Sequence, residues 1–460
     1  MPSLLDMPAE LAEAIGLELL ASDAPLEDIF NKVCILNSKA REIYQKMLFY
    51  DISLCDSNQM RRLARAIITN PSLAKEVKRM EVTFAPNSPT DRAYEEIFAK
   101  ARTFEFFSRR WEMLLNKTSP FALCGLLIAL LPQLTELKVT TQRMELVTGE
   151  DGWEDDQWCF GQSSPYDSRA MASAEDFFGA AALSCPEKIS LPKKLRTWRS
   201  IGMVPFFVFQ FWALETLEFD VGPWMENLRI DRHDIVPSHG LAFDTIKNLI
   251  IKSDAVRFSE DRHYYGDPHI RYLLEKLVQL QSIKFVIRQR GSQGKDNIKF
   301  TLLAKELTGP ASSLIVELLP SLWHVPRADI QAAKELPNLC LTKHVELPEA
   351  MLVNSESELN YAPDTLFDEP RSATVFQMET LKITNATKDS SQLLLAILNH
   401  RSSRFSRLTH LVISYRHDGI KGAENRKMHS GLCMQLENTG LKVTQVFDVE
   451  PDWWDYFYNG

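Results

Sequence analysis

LPQLTELKVT, residues 131–140, sets apolar side chains at Leu131, Leu134, Leu137 and Val139, in steps of 3, 3 and 2. The last step, with Lys138 between two apolar residues, is the alternation of a half-buried strand. The same steps recur at Phe211, Leu214, Leu217, Phe219 and at Phe243, Ile246, Leu249, Ile251. They return at Leu277, Leu280, Ile283, Phe285, at Val375, Met378, Leu381, Ile383 and at Phe405, Leu408, Leu411, Ile413. Weaker copies fall at Ala74, Val77, Met80, Val82 and at Ala333, Leu336, Leu339, Leu341. In a chain that is 45% hydrophobic, four specified positions match by chance with a probability of about 0.04, or on the order of nineteen accidental copies. The pattern therefore counts only where its surroundings agree.

The surroundings agree at several copies. An apolar helical stretch precedes them: CGLLIALL before Leu134, YLLEKLVQ before Ile283 and QLLLAILNH before Leu408. After each copy the chain turns polar. These are the steps of a leucine-rich repeat, in which a short strand buries alternate residues and a helix returns on the outside. The spacing is long: 32 residues from Leu217 to Leu249, 34 from Leu249 to Ile283 and 30 from Leu381 to Leu411. No asparagine follows the strands, so an asparagine ladder is not expected. The reading is an irregular leucine-rich-repeat-like solenoid over residues 131–460, with parallel strands inside and helices outside. Acidic, aperiodic insertions lie near 149–176 and 351–374. Residues 51–130 read as a helical linker and a first, weak repeat, with a strand at EVTF (81–84) and one amphipathic helix over 90–118. A last strand is expected over 441–449. The aromatic tail, Trp453, Trp454, Tyr456, Phe457 and Tyr458, reads as a cap on the open end of the array.

Residues 1–50 form a separate helical module. Leu11, Ile15 and Leu19 share one helical face, and Ile29, Val33 and Leu36 belong to a second apolar stripe that follows Pro25. Read from periodicity alone, this is a helical cap on a larger fold. The residues also resemble the F-box. Leu4, Met7, Pro8, Glu10, Leu11, Ile15 and Leu19 stand where its opening turn and helix fall, and Ile35-Leu36-Asn37-Ser38-Lys39-Ala40-Arg41 stands where its second signature falls. LFYDISL (48–54) looks like the exit segment of fungal F-box proteins, and the degenerate repeats resemble their C-terminal region. The resemblance implies an α/β protein: a small N-terminal F-box-like helical module followed by the solenoid. It implies a substrate-recognition subunit of a cullin-type (SCF) ubiquitin ligase. Leu4, Met7, Pro8, Leu11, Ile15, Leu19, Ile29, Val33 and Leu36 would divide their apolar surface between the module's core and a Skp-type adaptor, and through it a cullin scaffold. The repeats would hold an unknown protein target. The alternative is a leucine-rich-repeat-like scaffold with no ubiquitin-ligase role. The departures at Met7, Asn37 and Ala40 favour it.

Composition narrows the partners. A net charge of −9, with no Lys/Arg run, argues against nucleic acid. The apolar runs 121–131 and 204–209 are too short to span a bilayer. The 7 cysteines are scattered without CxxC spacing, and the acidic N-terminus lacks signal-peptide character, so a cytoplasmic and/or nuclear location is expected. No phosphate-cradling, nucleophile-elbow or zinc-protease motif occurs, and no cofactor, metal or catalytic residue is assigned. His263, Asp267 and His269, in DRHYYGDPH, are the nearest approach to a metal cluster and read as a polar loop. For the target, strand positions flanked by core residues are the candidates: Lys138, Glu218, Lys284 and Lys382 would line the sheet's concave face.

Overall fold

The computed structural model describes residues 49–84, 95–104, 107–116, 119–141, 177–178, 192–201, 208, 211–221, 242–254, 276–288, 298–299, 312–318, 330–331, 342–353, 375–415 and 420–447. The N-terminal module up to residue 48, the acidic insertion 149–176, most of 351–374, the 261–269 loop and the aromatic tail lie outside the described residues. The chain divides into two compact units, Met1–Phe219 with His233–Thr245, and Asp220–Arg232 with Ile246–Gly460.

The first unit opens with β1 (Asp51–Leu54), so the segment DISL continues as an edge strand. Helix α1 (Ser57–Thr69) follows. The Asp56 side chain caps it by accepting from the Gln59 N–H at 2.7 Å, and the Gln59 side chain reaches back to the Cys55 N–H at 2.6 Å. This is reciprocal capping of two orphan donors. Met60, Leu63, Ala64 and Ile67 form its buried stripe, and Asn70-Pro71 stops it. The chain then makes a short 3-10 turn (Leu73–Lys75) and enters β2 (Arg79–Phe84).

Where the sequence predicts one helix over 90–118, the structure has two, α2 (Glu95–Ala101) and α3 (Arg109–Asn116). Thr103 turns its hydroxyl onto the Lys100 carbonyl at 2.7 Å and ends the first; the Ser108 hydroxyl accepts from the Trp111 N–H at 3.1 Å and starts the second. α4 (Pro120–Leu130) is apolar on every side, and Ala122 through Ile128 are all buried. It packs against α1 and beneath Phe177, whose carbonyl accepts from the Trp111 indole at 2.8 Å. β3 (Glu136–Thr141), β4 (Thr197–Ile201) and β5 (Thr216–Val221) continue the sheet in chain order, with β1 to β4 paired in parallel.

The second unit repeats the scheme. β6 (Asn248–Asp254), β7 (Ser282–Arg288), β9 (Ser313–Leu318), β11 (His344–Pro348), β12 (Thr380–Ala386), β13 (His410–Tyr415) and β14 (Lys442–Phe447) stand side by side in that order, all parallel. β8 (Ile298–Lys299) and β10 (Ile330–Gln331) form a separate parallel pair. Helices α5 (Glu349–Leu352), α6 (Ser390–Asn399) and α7 (Ile420–Asn438) lie between strands in sequence, and α6 and α7 pack together and α7 against β13 and β14. α7 ends on Gly440, whose φ of 86° is the left-handed cap position that favours glycine.

Two hydrogen-bond devices recur along the array. In the first, the second apolar residue of a copy donates its N–H to the carbonyl of the first, as in Leu134 to Leu131 (3.2 Å), Leu214 to Phe211 (3.0 Å) and Leu408 to Phe405 (3.0 Å). A tight turn thus accounts for the first step of 3. In the second, the carbonyl two residues ahead of a strand's first buried residue accepts N–H groups from the next repeat, one at Gln281 and Thr409 and two at seven other junctions. Lys78 receives Thr135 and Glu136, Thr135 receives Arg196 and Thr197, and Lys343 receives Glu379 and Thr380. At three of these positions a hydroxyl joins in: Thr135 donates to Lys78, Ser312 to Gln281 and Thr409 to Glu379, each at 2.9 Å. These side-chain hydroxyls reinforce the junction at the strand entrance.

The buried face follows the register. Leu249, Ile283, Leu314, Val345, Leu381 and Leu411 stack strand upon strand in one row, each no more than 5% exposed. Each such side chain contributes about 1.5–3 kcal/mol. The strong copies at Leu131, Phe211, Phe243, Leu277 and Phe405 are buried as expected. Val375 is the exception at 40% exposed; its neighbour Phe376 stacks on Phe405 at 5.2 Å instead. The weak copy expected at Ala333 to Leu341 falls outside the described residues, and the strand of that region is β11, entered through buried Thr342, Val345 and Leu347. A threonine in place of the second leucine hid that copy.

Gly125 decides how tightly α4 can be covered. A methyl group there would sit 2.0 Å from the Phe177 carbonyl oxygen, which is backbone and cannot step aside. Gly431 in α7 faces open space. Gly125→Ala is expected to lower stability by at least about 1–3 kcal/mol, and Gly431→Ala to leave it unchanged or raise it by up to about 1 kcal/mol. Urea denaturation midpoints of both variants check this; equal midpoints would contradict the close contact.

Candidate interaction surface

Alternation along each strand turns every second side chain away from the buried face. All four target candidates stand at such positions. Each is ion-paired across the sheet: Lys138 to Glu81 (2.8 Å), Glu218 to Arg199 (3.3 Å), Lys284 to Glu317 (2.6 Å) and Lys382 to Glu346 (2.8 Å). Lys138 and Glu218 belong to the first unit, Lys284 and Lys382 to the second.

The residues that organise the first unit's face carry no local signal in the sequence. Arg79 bridges Asp51 (3.0 Å) and Glu136 (3.2 Å), and Arg199 bridges Glu136 (3.3 Å) and Glu218 (3.3 Å). The result is a line of alternating charge, Asp51–Arg79–Glu136–Arg199–Glu218, running across β1 to β5. The register creates it, because Asp51, Arg79 and Glu136 are direct partners. Burial raises the Asp51 carboxyl above its ordinary range more than Arg79 lowers it, and Glu136 and Glu81 add to the rise. Exposed pairs of this kind are each worth about 0.2–1 kcal/mol. Their main effect is to set opposite charges side by side across the face.

A second polar cluster lies in the core of the other unit. The Tyr415 hydroxyl and His429 Nδ1 are 3.1 Å apart, and the two rings stack at 5.7 Å. The Gln445 side-chain amide donates to Tyr415 Oη at 3.3 Å and to Cys433 Sγ at 2.9 Å. Burial pushes the Tyr415 hydroxyl and the Cys433 thiol up and the His429 imidazole down. All three groups are held neutral, so the cluster offers neither a thiolate nor an imidazolium and works as a packing network that fixes α7 on β13 and β14. Beside it, Glu349, 1% exposed, accepts from the Thr387 N–H at 2.9 Å and lies 3.2 Å from its hydroxyl. This clamp holds the turn after Asn385, a residue whose φ of 55° is left-handed.

Leu4, Met7, Pro8, Leu11, Ile15, Leu19, Ile29, Val33 and Leu36, and likewise His263, Asp267 and His269, lie outside the described residues. Among the described residues no group of His, Cys, Asp and Glu is placed to hold a metal ion, and no helix is long and apolar enough to cross a membrane. No family model matches this chain, and no curated protein is similar enough to it to register as a match.

His429 carries a pH signature. Burial lowers its folded-state pKa, while the unfolded chain takes up a proton near about 6.5. As pH falls through that value the unfolded state binds a proton that the folded state refuses, so stability drops, and the drop ends below the folded pKa. Denaturant midpoints measured between pH 7.5 and 5.5 are expected to decline in the wild type and to flatten in His429→Gln. Parallel profiles would contradict a buried neutral imidazole.

Proposed function

We propose that this chain is a substrate receptor of a cullin-type ubiquitin ligase, with the N-terminal module on a Skp-type adaptor and a protein target on the repeats. The observation that carries the reading is the one-strand-per-repeat sheet of each unit, which turns every second strand side chain away from its core. Such a face recognises partners by shape and charge and needs no catalytic group. The sequence resemblance of residues 1–50 supplies the adaptor half: a helical module ahead of β1, with Leu4, Met7, Pro8, Leu11, Ile15, Leu19, Ile29, Val33 and Leu36 as its apolar contacts. Ubiquitin transfer takes place on other subunits in this reading.

The test is capture of the host's Skp-type adaptor by the full chain, wild type beside a Pro8→Ala, Leu11→Asp double variant whose fold is checked by circular dichroism. The wild type should retain the adaptor, and the folded variant should lose at least about tenfold in affinity, the loss expected when an apolar anchor is replaced by a charge. Failure of the wild type to bind would remove the receptor reading and leave a repeat scaffold.

A further inference from the structure

The second unit's sheet ends at β14, and its core side is incompletely covered there. On β13, Leu411, Ile413 and Tyr415 are fully buried. Their register partners on β14 are Val443, Gln445 and Phe447, which point to the same side of the sheet and are only half-buried. The ladder also fixes where the backbone of β14 points. The Lys442 N–H donates to the Thr409 carbonyl at 3.0 Å. In a parallel ladder both backbone groups of one residue serve the same neighbour, and those of the next residue face the opposite way. Lys442, Thr444 and Val446 therefore serve β13. The backbone groups of Val443 and Gln445 point to the far edge, where no strand pairs with them among the described residues. The strand reads KVTQVF, and beyond Lys442 it has no charge, proline or bulge of the kind that guards an edge. β1 is guarded: it has 4 residues and opens on Asp51, ion-paired to Arg79.

One flank of α7 runs beside this edge. Arg426, Ser430, Met434 and Glu437 share it by helical spacing, and all four are exposed, Met434 by 60%. The Arg426 guanidinium lies 5.3 Å from the centre of the Phe447 ring, and its Nε donates to the Gln445 side-chain oxygen at 3.4 Å. The flank is thereby laid along β14. Because α7 joins two parallel strands, it runs against them. Arg426 stands at the Phe447 end of the strand and Glu437 at the Lys442 end. The rise along the helix from Arg426 to Glu437 is about 16 Å, and the strand from Lys442 to Phe447 spans about the same length. Opposite charges thus bracket the edge. Rotated by half a turn in the plane of the sheet, the surface meets itself: each Arg426 comes to a Glu437, and edge N–H groups come to edge carbonyls. A segment carrying one sign of charge would match one end and oppose the other.

We infer that β14 and the Arg426–Glu437 flank of α7 bind a second copy of this chain, with β14 pairing antiparallel to its counterpart about a twofold axis. Pairing satisfies the edge backbone and covers Val443, Phe447 and Met434. The assignment is independent of the receptor reading.

The experiment is sedimentation velocity on the full chain across the micromolar range. The wild type should sediment at about twice the 52.6 kDa chain mass at the upper end and fall towards the chain mass on dilution. Val443→Pro removes an N–H that points to the far edge and leaves the ladder to β13 intact, so it should weaken the dimer at least about tenfold. Arg426→Glu sets like charges together and should weaken it at least about tenfold as well. Arg426→Glu combined with Glu437→Arg should restore it, because the swap re-creates both contacts. Restoration is a result that a merely structural role of Arg426 against Phe447 would not give, and it decides the question if Val443→Pro does not fold. A monomer at every concentration, as expected if residues 448–460 or another protein occupy this edge, would overturn the inference. So would a dimer that Val443→Pro and Arg426→Glu leave intact, or a charge swap that restores nothing.

Discussion

The carbonyl two residues ahead of each strand's first buried side chain is the constraint on which both units depend. Lys78, Thr135, Arg196, Lys247, Ser312, Lys343 and Glu379 each accept two N–H groups from the following repeat. One shared acceptor fixes the lateral register of two strands before any side chain has packed. Once it is set, Leu-x-x-Leu-x-Leu delivers one leucine to the turn, one to the strand entrance and one to the core row, repeat after repeat. A slip of a single residue would send the whole core row to the outward face. Met80 and Leu137 are register partners 57 residues apart in sequence, yet Thr135 still meets Lys78.

Much of this was legible in the residues. The steps at Leu131, Phe211, Phe243, Leu277 and Phe405 mark strands and buried turns because those side chains have no alternative to the core. β4 was hidden because its copy reads Pro192, Leu195, Trp198 and Ser200, where proline and serine stand in for leucines; the Leu195 N–H still reaches the Pro192 carbonyl at 3.3 Å. β11 was hidden by Thr342 for the same reason. The apolar spacing over 90–118 predicts one helix because it survives the break, and the break itself depends on hydroxyls at Thr103 and Ser108 bonding locally. Apolar periodicity reports burial; it does not report where a side-chain hydroxyl competes with the helix.

The surface was legible only in part. Lys138, Glu218, Lys284 and Lys382 could be placed on one side of their strands, since alternation settles that much. Their partners could not, because pairs such as Lys382 with Glu346 join residues 36 apart through register alone. Arg79 and Arg199 carried no signal in their own neighbourhoods; they became organisers of the first unit's face only when the strands aligned. The row Ile250–Lys284–Ile315–Glu346–Lys382–Val412 is likewise a property of strands set side by side, which a linear reading does not show. The buried Tyr415–His429–Gln445–Cys433 network has the same origin, assembled from two strands and a helix.

The most direct test of the account is hydrogen exchange at the junction amides. Those of Glu136, Thr197, Thr216, Ser282, His344, Thr380 and His410 all donate to the preceding repeat's carbonyl. The account predicts that these amides are slowed at least about a hundredfold relative to an unstructured chain, in step with the strand interiors. Exchange at unstructured rates across these positions, with α1 and α4 still protected, would contradict a register set by the carbonyl ladder and with it the parallel repeat array.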